Sequence, residues 1–205
     1  MQAIERACFR PGEDVGIAID VAASQFGGQG RYRLATDKAE LGTEEWVARL
    51  AEWCRRYPIV SVEDPVAEDD DAGMQMFTRA VGEAVQVIGD DYLVTSADRV
   101  RMAAGEGACN AALIKPNQSG TLTETKAAFD AARAAGWRTI ISARSGESED
   151  VTIVHLAVGW RADQLKVGSF ARSERMAKWN EAIRIEEATG APFAGRTAIG
   201  GKPRA

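Results

Sequence analysis

The chain has 205 residues, of which 45% are hydrophobic and 27% charged, a balance that is typical of a globular protein and excludes a disordered chain. Its net charge is −5 at pH 7 and its basic residues are scattered, which argues against nucleic acid as a partner. No stretch reaches the ~18 apolar residues that cross a bilayer, and the first residues lack the apolar core of a signal peptide, so we expect no membrane partner.

Strand-like and helix-like segments alternate along the chain. Short apolar runs that stop at a charge or a turn residue predict strands at 15–22, 59–62, 85–89, 111–115, 138–142 and 164–167. Longer segments with apolar residues at helical spacing predict helices at 44–57, 69–81, 96–106, 121–135, 147–158 and 172–188. This alternation indicates βα units that share one parallel sheet.

Six such units predict an α/β fold, a partial (β/α)8 barrel of the TIM type with about two units fewer than a closed barrel needs. We assign residues 1–194 to this incomplete barrel domain. Residues 195–205 show no periodicity and predict a flexible tail. Three widely spaced cysteines without CxxC spacing predict reduced thiols and a cytoplasmic location.

Five of the predicted strands end at a charged side chain. Asp20, Glu63 and Asp90 follow the first three strands, and Lys115 and Lys166 follow the fourth and the sixth. The carboxyl ends of the strands form the active-site rim in barrels of this kind. Three carboxylates that meet there would repel one another, and an all-oxygen set of ligands suits Mg²⁺. The sequence therefore predicts a magnesium site.

The two lysines are predicted to share that rim. A nearby positive charge disfavours an ammonium ion, so a lysine in this place is a candidate general base near neutral pH. The ordinary alternative is that the acids cap the helices that follow them and that the lysines pair with the acids.

The motifs at these strand ends have a specific order and spacing. They are Gly12-Glu13-Asp14-Val15 and Ile19-Asp20-Val21-Ala22-Ala23-Ser24, Ser61-Val62-Glu63-Asp64-Pro65, Gly89-Asp90-Asp91, Leu113-Ile114-Lys115-Pro116-Asn117-Gln118, Arg144-Ser145-Gly146-Glu147, Leu165-Lys166, Ala171-Arg172-Ser173-Glu174-Arg175 and Arg184-Ile185-Glu186-Glu187. Over nearly its whole length the chain resembles the C-terminal barrel portion of enolase (phosphopyruvate hydratase).

That resemblance implies a Mg²⁺-dependent, reversible dehydration of 2-phosphoglycerate to phosphoenolpyruvate, with a phosphorylated three-carbon acid as ligand. Asp20, Glu63 and Asp90 match the family's metal ligands, and Lys115 matches the base that removes the C2 proton. The remaining matches concern substrate binding: Arg144 and Ser145 match the pair that holds the phosphate, and Lys166 matches a contact to the substrate carboxylate.

The chain departs from the family pattern in two ways. The family motif has a histidine just before the phosphate-binding arginine, where this chain has Ala143. The resemblance also implies that the family's N-terminal domain, its first barrel strands and the glutamates that supply the acid precede the region covered here. Six strands leave two open sheet edges, which predict a homo-oligomer or a complementing chain as partner.

Two alternatives to an enolase-type lyase stay open. One is a catalytically inactive remnant that binds Mg²⁺ and a phosphorylated acid or acts through protein contacts. The other is a lyase or racemase of the same superfamily that acts on an acid without a phosphate, against which the Arg144–Ser145 pair argues.

Overall fold

The structure, a computed structural model, describes residues 1–199. The strands in that range are β1 (Ile17–Asp20), β2 (Gly27–Gly28), β3 (Arg31–Leu34), β4 (Ala39–Gly42), β5 (Ile59–Glu63), β6 (Gln86–Gly89), β7 (Ala111–Ile114), β8 (Arg138–Ser142) and β9 (Gln164–Lys166). Six of them form a parallel sheet in the order β1-β5-β6-β7-β8-β9. The other three form a small antiparallel sheet in the order β2-β3-β4.

Most of the helices connect successive strands of the parallel sheet, while the first precedes β1 and the last follows β9. The helices are α1 (Gln2–Arg6), α2 (Thr43–Arg56), α3 (Asp71–Val81), α4 (Ala97–Glu106), α5 (Pro116–Ser119), α6 (Leu122–Ala134), α7 (Thr152–Gly159) and α8 (Ser173–Thr189). Local sequence explains several ends: the Asp70 and Ser96 side chains accept hydrogen bonds at the starts of α3 and α4, and left-handed glycines end α4 and α8 at Gly107 and Gly190. The predicted α/β partial barrel is confirmed.

The parallel sheet is strongly curled. Asp20 ends β1 and Lys166 ends β9, the two outermost strands, yet Lys166 Nζ donates a hydrogen bond to Asp20 Oδ2 at 3.2 Å. The main apolar core lies between the convex face of the sheet and the helices, where β6 and β7 are buried along their whole length. A second apolar cluster lies on the concave face, formed by Ile88, Ala111, Leu113 and Ile140. The curl brings the carboxyl ends of all six strands to one rim.

Two segments differ from the sequence predictions. Residues 27–42 form the small antiparallel sheet, which the sequence did not predict because β2 has only two residues, both glycine. The helix predicted at 147–158 begins only at Thr152. Its first predicted turn is a loop because carboxylates there bind backbone groups: Glu147 Oε1 accepts from Arg144 N–H, and Asp150 Oδ1 accepts from Thr152 N–H.

The predicted tail is described only in part. Residues Gly195–Ala198 form a short 3-10 helix, and Gln164 Nε2 donates to Ala198 O at 2.9 Å. Arg196 Nη1 donates to Gly12 O at 3.0 Å. Residues 200–205 lie outside the described range, so the flexibility of the tail stays a prediction. None of the helices within residues 1–199 combines the length and the apolar character needed to cross a membrane.

Candidate active site

A cleft of about 600 Å³ opens at the carboxyl ends of the parallel strands. Six of the seven residues predicted for the site line it: Asp20, Asp90, Lys115, Arg144, Ser145 and Lys166. The seventh, Glu63, lies below, on the wall of the interior cavity that Asp20 and Lys166 also line. The seven residues end or follow the six strands, with Arg144 and Ser145 both after β8, so the parallel order of the sheet brings six distant strand ends to one rim.

Lys166 holds two of the predicted metal ligands. Its Nζ lies 2.7 Å from both carboxylate oxygens of Glu63 and 3.2 Å from Asp20 Oδ2. Burial raises the pKa of Glu63 to about 7; the Lys166 ammonium opposes this shift and the charges of Asp20 and Asp90 add to it. Burial by itself lowers the pKa of Lys166. Its bonds to Glu63 and Asp20 have the larger effect, so the pKa of Lys166 is raised. Lys166 is therefore a fixed cation rather than a base.

Asp90 and Lys115 form the second ion pair of the site. Lys115 Nζ donates to Asp90 Oδ2 at 2.5 Å, and both side chains are nearly buried. The other oxygen, Asp90 Oδ1, is buried and has no hydrogen-bond partner among the described residues. Lys115 is positioned from its backbone as well, since its N–H donates to Thr95 Oγ1 at 3.0 Å. A buried carboxylate oxygen without a donor can accept a cation or a hydrogen-bond donor.

Asp64 and Asp91 were not predicted as site residues. Oxygens of Asp64, Asp90 and Asp91 lie within 4.8 Å of one another, a spacing that is compatible with a cation. However, both oxygens of Asp64 accept backbone N–H groups, those of Asp90 and Asp91, each at 2.8 Å. Burial nevertheless raises the pKa of Asp64 to about 6. Asp64 thus fixes the turn that carries Asp90. The doubled acids Glu63-Asp64 and Asp90-Asp91 were the available sequence signal.

Arg144 and Ser145 lie in the loop after β8. The Arg144 guanidinium donates to Asn117 Oδ1 at 3.3 Å from Nη1, and its backbone N–H is held by Glu147. Ser145 is exposed at the mouth of the cleft. Arg172 and Arg175 line the same cleft, and the sequence analysis gave neither a role. The side of the cleft that carries these arginines is cationic, and the opposite side, which carries the carboxylates, is acidic. The cleft therefore favours an anion next to a metal ion.

Comparison with known proteins decides the family. The family model for the C-terminal TIM barrel domain of enolase matches residues 1–200. The chain belongs to the enolase family. The enolase-family relative "Enolase 1" of Desulfitobacterium hafniense (strain Y51) is 49% identical over 191 residues, which cover 92% of this chain and 44% of the relative. The predicted enolase resemblance is confirmed, and the chain spans less than half the length of that relative.

Ala143 marks where this chain departs from the enolase motif. It directly follows β8, is 8% exposed and lines the cleft between Ser142 and Arg144. Its backbone N–H donates to Lys166 O at 2.9 Å, which continues the β8–β9 pairing to the rim. A methyl group there can neither donate nor accept a proton.

Proposed function

We propose that this chain carries the proton-abstracting and anion-binding half of an enolase-type site. Such a site dehydrates 2-phosphoglycerate reversibly to phosphoenolpyruvate. The observation that carries the proposal is one cleft lined by Asp20, Asp90, a nearly buried lysine and an arginine–serine pair, with Glu63 directly below it on Lys166. Membership of the enolase family supports the same chemistry.

The proposed roles follow from the placement of each group. Lys115, held at the rim by its backbone and by Asp90, faces the cleft as the base for the C2 proton. Lys166 keeps its charge through Glu63 and suits the substrate carboxylate. Arg144 and Ser145 suit the phosphate, because a guanidinium binds phosphate oxygens in pairs.

Asp20, Glu63 and Asp90 would hold the Mg²⁺ ion. The donor set fits this hard cation: all ligand atoms are carboxylate oxygens, Glu63 already turns both oxygens toward a cation, and Asp90 Oδ1 has no donor within residues 1–199. When bound, Mg²⁺ supplies positive charge beside the substrate carboxylate, which makes the adjacent C–H acidic enough to lose a proton.

Two assays separate the two halves of this reaction. Incubation with 2-phosphoglycerate, Mg²⁺ and D₂O should lead to deuterium at C2, which NMR detects, because Lys115 needs no other acid for this step. Formation of phosphoenolpyruvate, followed by ultraviolet absorbance, should be far slower, because hydroxide leaves poorly without an acid and Ala143 supplies none. Absence of deuterium uptake at high protein and Mg²⁺ concentrations would refute the base assigned here.

A second candidate function is binding without turnover. It is favoured by Ala143 and by the two ion pairs, Lys166–Glu63 and Lys115–Asp90, that occupy the predicted metal ligands and base. In that case calorimetry should detect Mg²⁺-dependent binding of 2-phosphoglycerate while neither assay shows reaction. If Lys115 stays bound to Asp90 when Mg²⁺ is present, it cannot remove the C2 proton, and binding without reaction is the result.

We also propose that the open edges of the sheet, at β1 and β9, take up further strands from a second copy or from a complementing segment. Within the described residues each of these strands has one neighbour only. The acid for the departing hydroxide would then come from outside residues 1–199. Adding the part of the Desulfitobacterium relative that lies outside the matched region should raise phosphoenolpyruvate formation if the segment completes the site.

The reduced cysteines support a cytoplasmic location.

A further inference from the structure

Helix α8 buries two cations where a helix normally buries apolar side chains. Its buried residues are Arg175, 8% exposed, and Lys178, 0% exposed. Burying a charge is costly unless it is compensated, so buried cations of this kind are held by specific partners. Both side chains point at the loop that carries Arg144 and Ser145.

Lys178 reaches Arg144 through one intermediate residue. Its Nζ lies 2.9 Å from Glu147 Oε2, an ion pair, and donates hydrogen bonds to Ser148 O at 2.8 Å and to Glu174 O at 3.1 Å, so the buried charge is compensated. The second oxygen of Glu147 accepts the backbone N–H of Arg144 at 2.7 Å. Lys178, Glu147 and Arg144 therefore form one continuous chain of contacts.

Arg175 connects the same loop to the neighbouring strand. Its Nη1 donates to Val167 O at 2.8 Å and its Nη2 donates to Ser145 O at 3.0 Å, so it joins the loops that follow β8 and β9. The nearest carboxylate in the described range, that of Glu174, is 4.0 Å away. The same Glu174 oxygen lies closer to Arg172, at 3.2 Å from its Nε, so Arg175 adds a positive charge to the cleft wall that Glu174 balances only in part.

The structure assigns Lys178 and Arg175 as positioning residues for phosphate binding by Arg144 and Ser145, an inference that rests on the proposed function. Glu147 is the key to the argument. It is three residues from Arg144 and already accepts the Arg144 backbone N–H, so an uncompensated Glu147 carboxylate competes with a phosphate for the guanidinium of the same residue. Lys178 neutralises Glu147 and holds it on the backbone N–H, which leaves the guanidinium for a phosphate.

This arrangement predicts a result that a purely structural role would not give. Lys178→Met leaves Glu147 charged and uncompensated, so Glu147 should capture the Arg144 guanidinium and weaken phosphate binding roughly ten-fold, or about 1.4 kcal/mol. The double variant Lys178→Met with Glu147→Gln should recover most of that loss. Its amide oxygen still accepts the Arg144 N–H, but it has no charge to compete with phosphate.

The test is an NMR titration of the full chain with inorganic phosphate, followed at the amides of Arg144 and Ser145. Lys126→Met is the matched control, because it removes a lysine paired with Asp130 on the exposed face of α6, outside the cleft. It should bind phosphate as the wild type does. Equal affinity in wild type and Lys178→Met would overturn the inference, and so would a double variant as weak as Lys178→Met.

Hydrogen exchange separates this inference from the proposed function. In Lys178→Met the Arg144 amide should exchange at least about ten-fold faster than in the wild type, while Lys126→Met leaves it unchanged. If the wild type itself binds no phosphate, the proposed phosphate site is wrong, and the exchange rate alone decides whether Lys178 positions the loop. An unchanged rate would overturn that assignment as well.

Discussion

At the residue scale, the charged side chains of the site neutralise one another in the absence of a ligand. Glu63 illustrates this best, since it is 4% exposed and has the Lys166 ammonium against both of its oxygens. Its raised pKa means that the folded chain retains a proton that the unfolded chain loses near its ordinary pKa of 4.5. Without a bound metal ion, Glu63 therefore lowers the free energy of unfolding as pH rises from about 4.5 to about 7.

Mg²⁺ should relieve that cost in a pH-dependent way. A carboxyl group binds the ion only when it is ionised, so the rise in melting temperature on adding Mg²⁺ should be large at pH 8 and small at pH 6, below the pKa of about 7. Glu63→Gln should abolish the rise at both values. Differential scanning calorimetry of the two proteins, with and without Mg²⁺, measures this directly.

Glu52→Gln is the matched control, because Glu52 lies on the exposed face of α2 and pairs there, within the described residues, with Arg55. It should respond to Mg²⁺ as the wild type does. A Mg²⁺ response of the same size at pH 6 and pH 8, or one that survives in Glu63→Gln, would place the ion elsewhere. Asp64, Asp90 and Asp91 are the alternative cluster.

At the element scale, the small antiparallel sheet is attached to the barrel by one buried network. Tyr32 on β3 is fully buried; its hydroxyl donates to Asp70 Oδ2 at 2.6 Å and accepts from Ala67 N–H at 3.1 Å. Burial and the bond to Asp70 raise the pKa of Tyr32, so the hydroxyl keeps its proton. Thr43 Oγ1 donates to the same Asp70 oxygen. The network fixes the segment that follows Glu63.

Tyr32→Phe should destabilise the chain by about 1–3 kcal/mol, because the Ala67 N–H is left buried without an acceptor. In a chain of this size that is a fall in melting temperature of roughly 2–4 °C per kcal/mol. Thr43→Val removes the other hydroxyl on Asp70 but strands no donor, so its effect should be smaller. Thermal unfolding followed by circular dichroism compares the two, and a larger loss in Thr43→Val would contradict the assignment.

Asp163 ties α6, β8 and the start of β9 together. Its Oδ2 accepts from Thr139 N–H at 2.9 Å and from Arg133 Nη1 at 3.1 Å, and its Oδ1 accepts from Arg138 Nη1 at 2.9 Å. Burial works against the charge, but these bonds outweigh it and lower the pKa of Asp163. A lowered pKa stabilises the fold above the unfolded value of about 4 and loses that effect as pH falls through the folded value.

Asp163→Asn should therefore cost about 1–2 kcal/mol near neutral pH, and this cost should shrink toward pH 3. Urea unfolding of variant and wild type in steps from pH 7 to pH 3 measures the difference. Asp130→Asn removes the same charge from an exposed pair on α6 and should show little change at any pH. A cost for Asp163→Asn that does not depend on pH would show that shape, not charge, matters there.

The sequence predicted the elements whose signals are local and missed those that depend on contacts between distant segments. Strands that end at Glu63, Lys115 or Lys166 were predictable because an apolar run stops at a charge. The β2-β3-β4 sheet was not, since Gly27 and Gly28 carry no strand signal and are placed by pairing with β3. The loop at 147–151 was taken for helix because carboxylate–backbone bonds are invisible in an apolar pattern.

The candidate site shows the same division. Its parallel-strand logic placed Asp20, Asp90 and Lys115 on one rim from sequence alone. Pairing of the lysines with the acids was one sequence alternative, but which acid Lys166 contacts was not predictable, because it depends on how tightly six strands curl. The role of Asp64 in holding the Asp90 turn was likewise hidden, since it requires the alignment of β5 with β6.

At the scale of the whole molecule, the parallel sheet is an unclosed barrel with a seam between its two edge strands, β1 and β9. In the described residues β1 pairs only with β5 and β9 only with β8. The N–H groups of Ile17 and Val21 bond to the β5 side, at Pro58 O and Glu63 O. Residues of a parallel strand bond alternately to their two neighbours, so the N–H groups of Ala18 and Asp20 face the open edge.

Such an edge is a template for another strand, so the chain should self-associate at tens of micromolar, and Ala18→Pro should weaken that association. Proline removes a donor that faces the open edge while β1 keeps its bonds to β5. Sedimentation velocity over a range of concentrations measures the change. An unchanged melting temperature shows that the variant still folds, because its β1–β5 pairing is intact.

A second measurement uses the part of the Desulfitobacterium relative outside the matched region, which should suppress self-association of the wild type by occupying the same seam. A wild type that sediments as a single monomer at every concentration, or an Ala18→Pro variant that associates equally well, would show that the strand edges are not the contact surface.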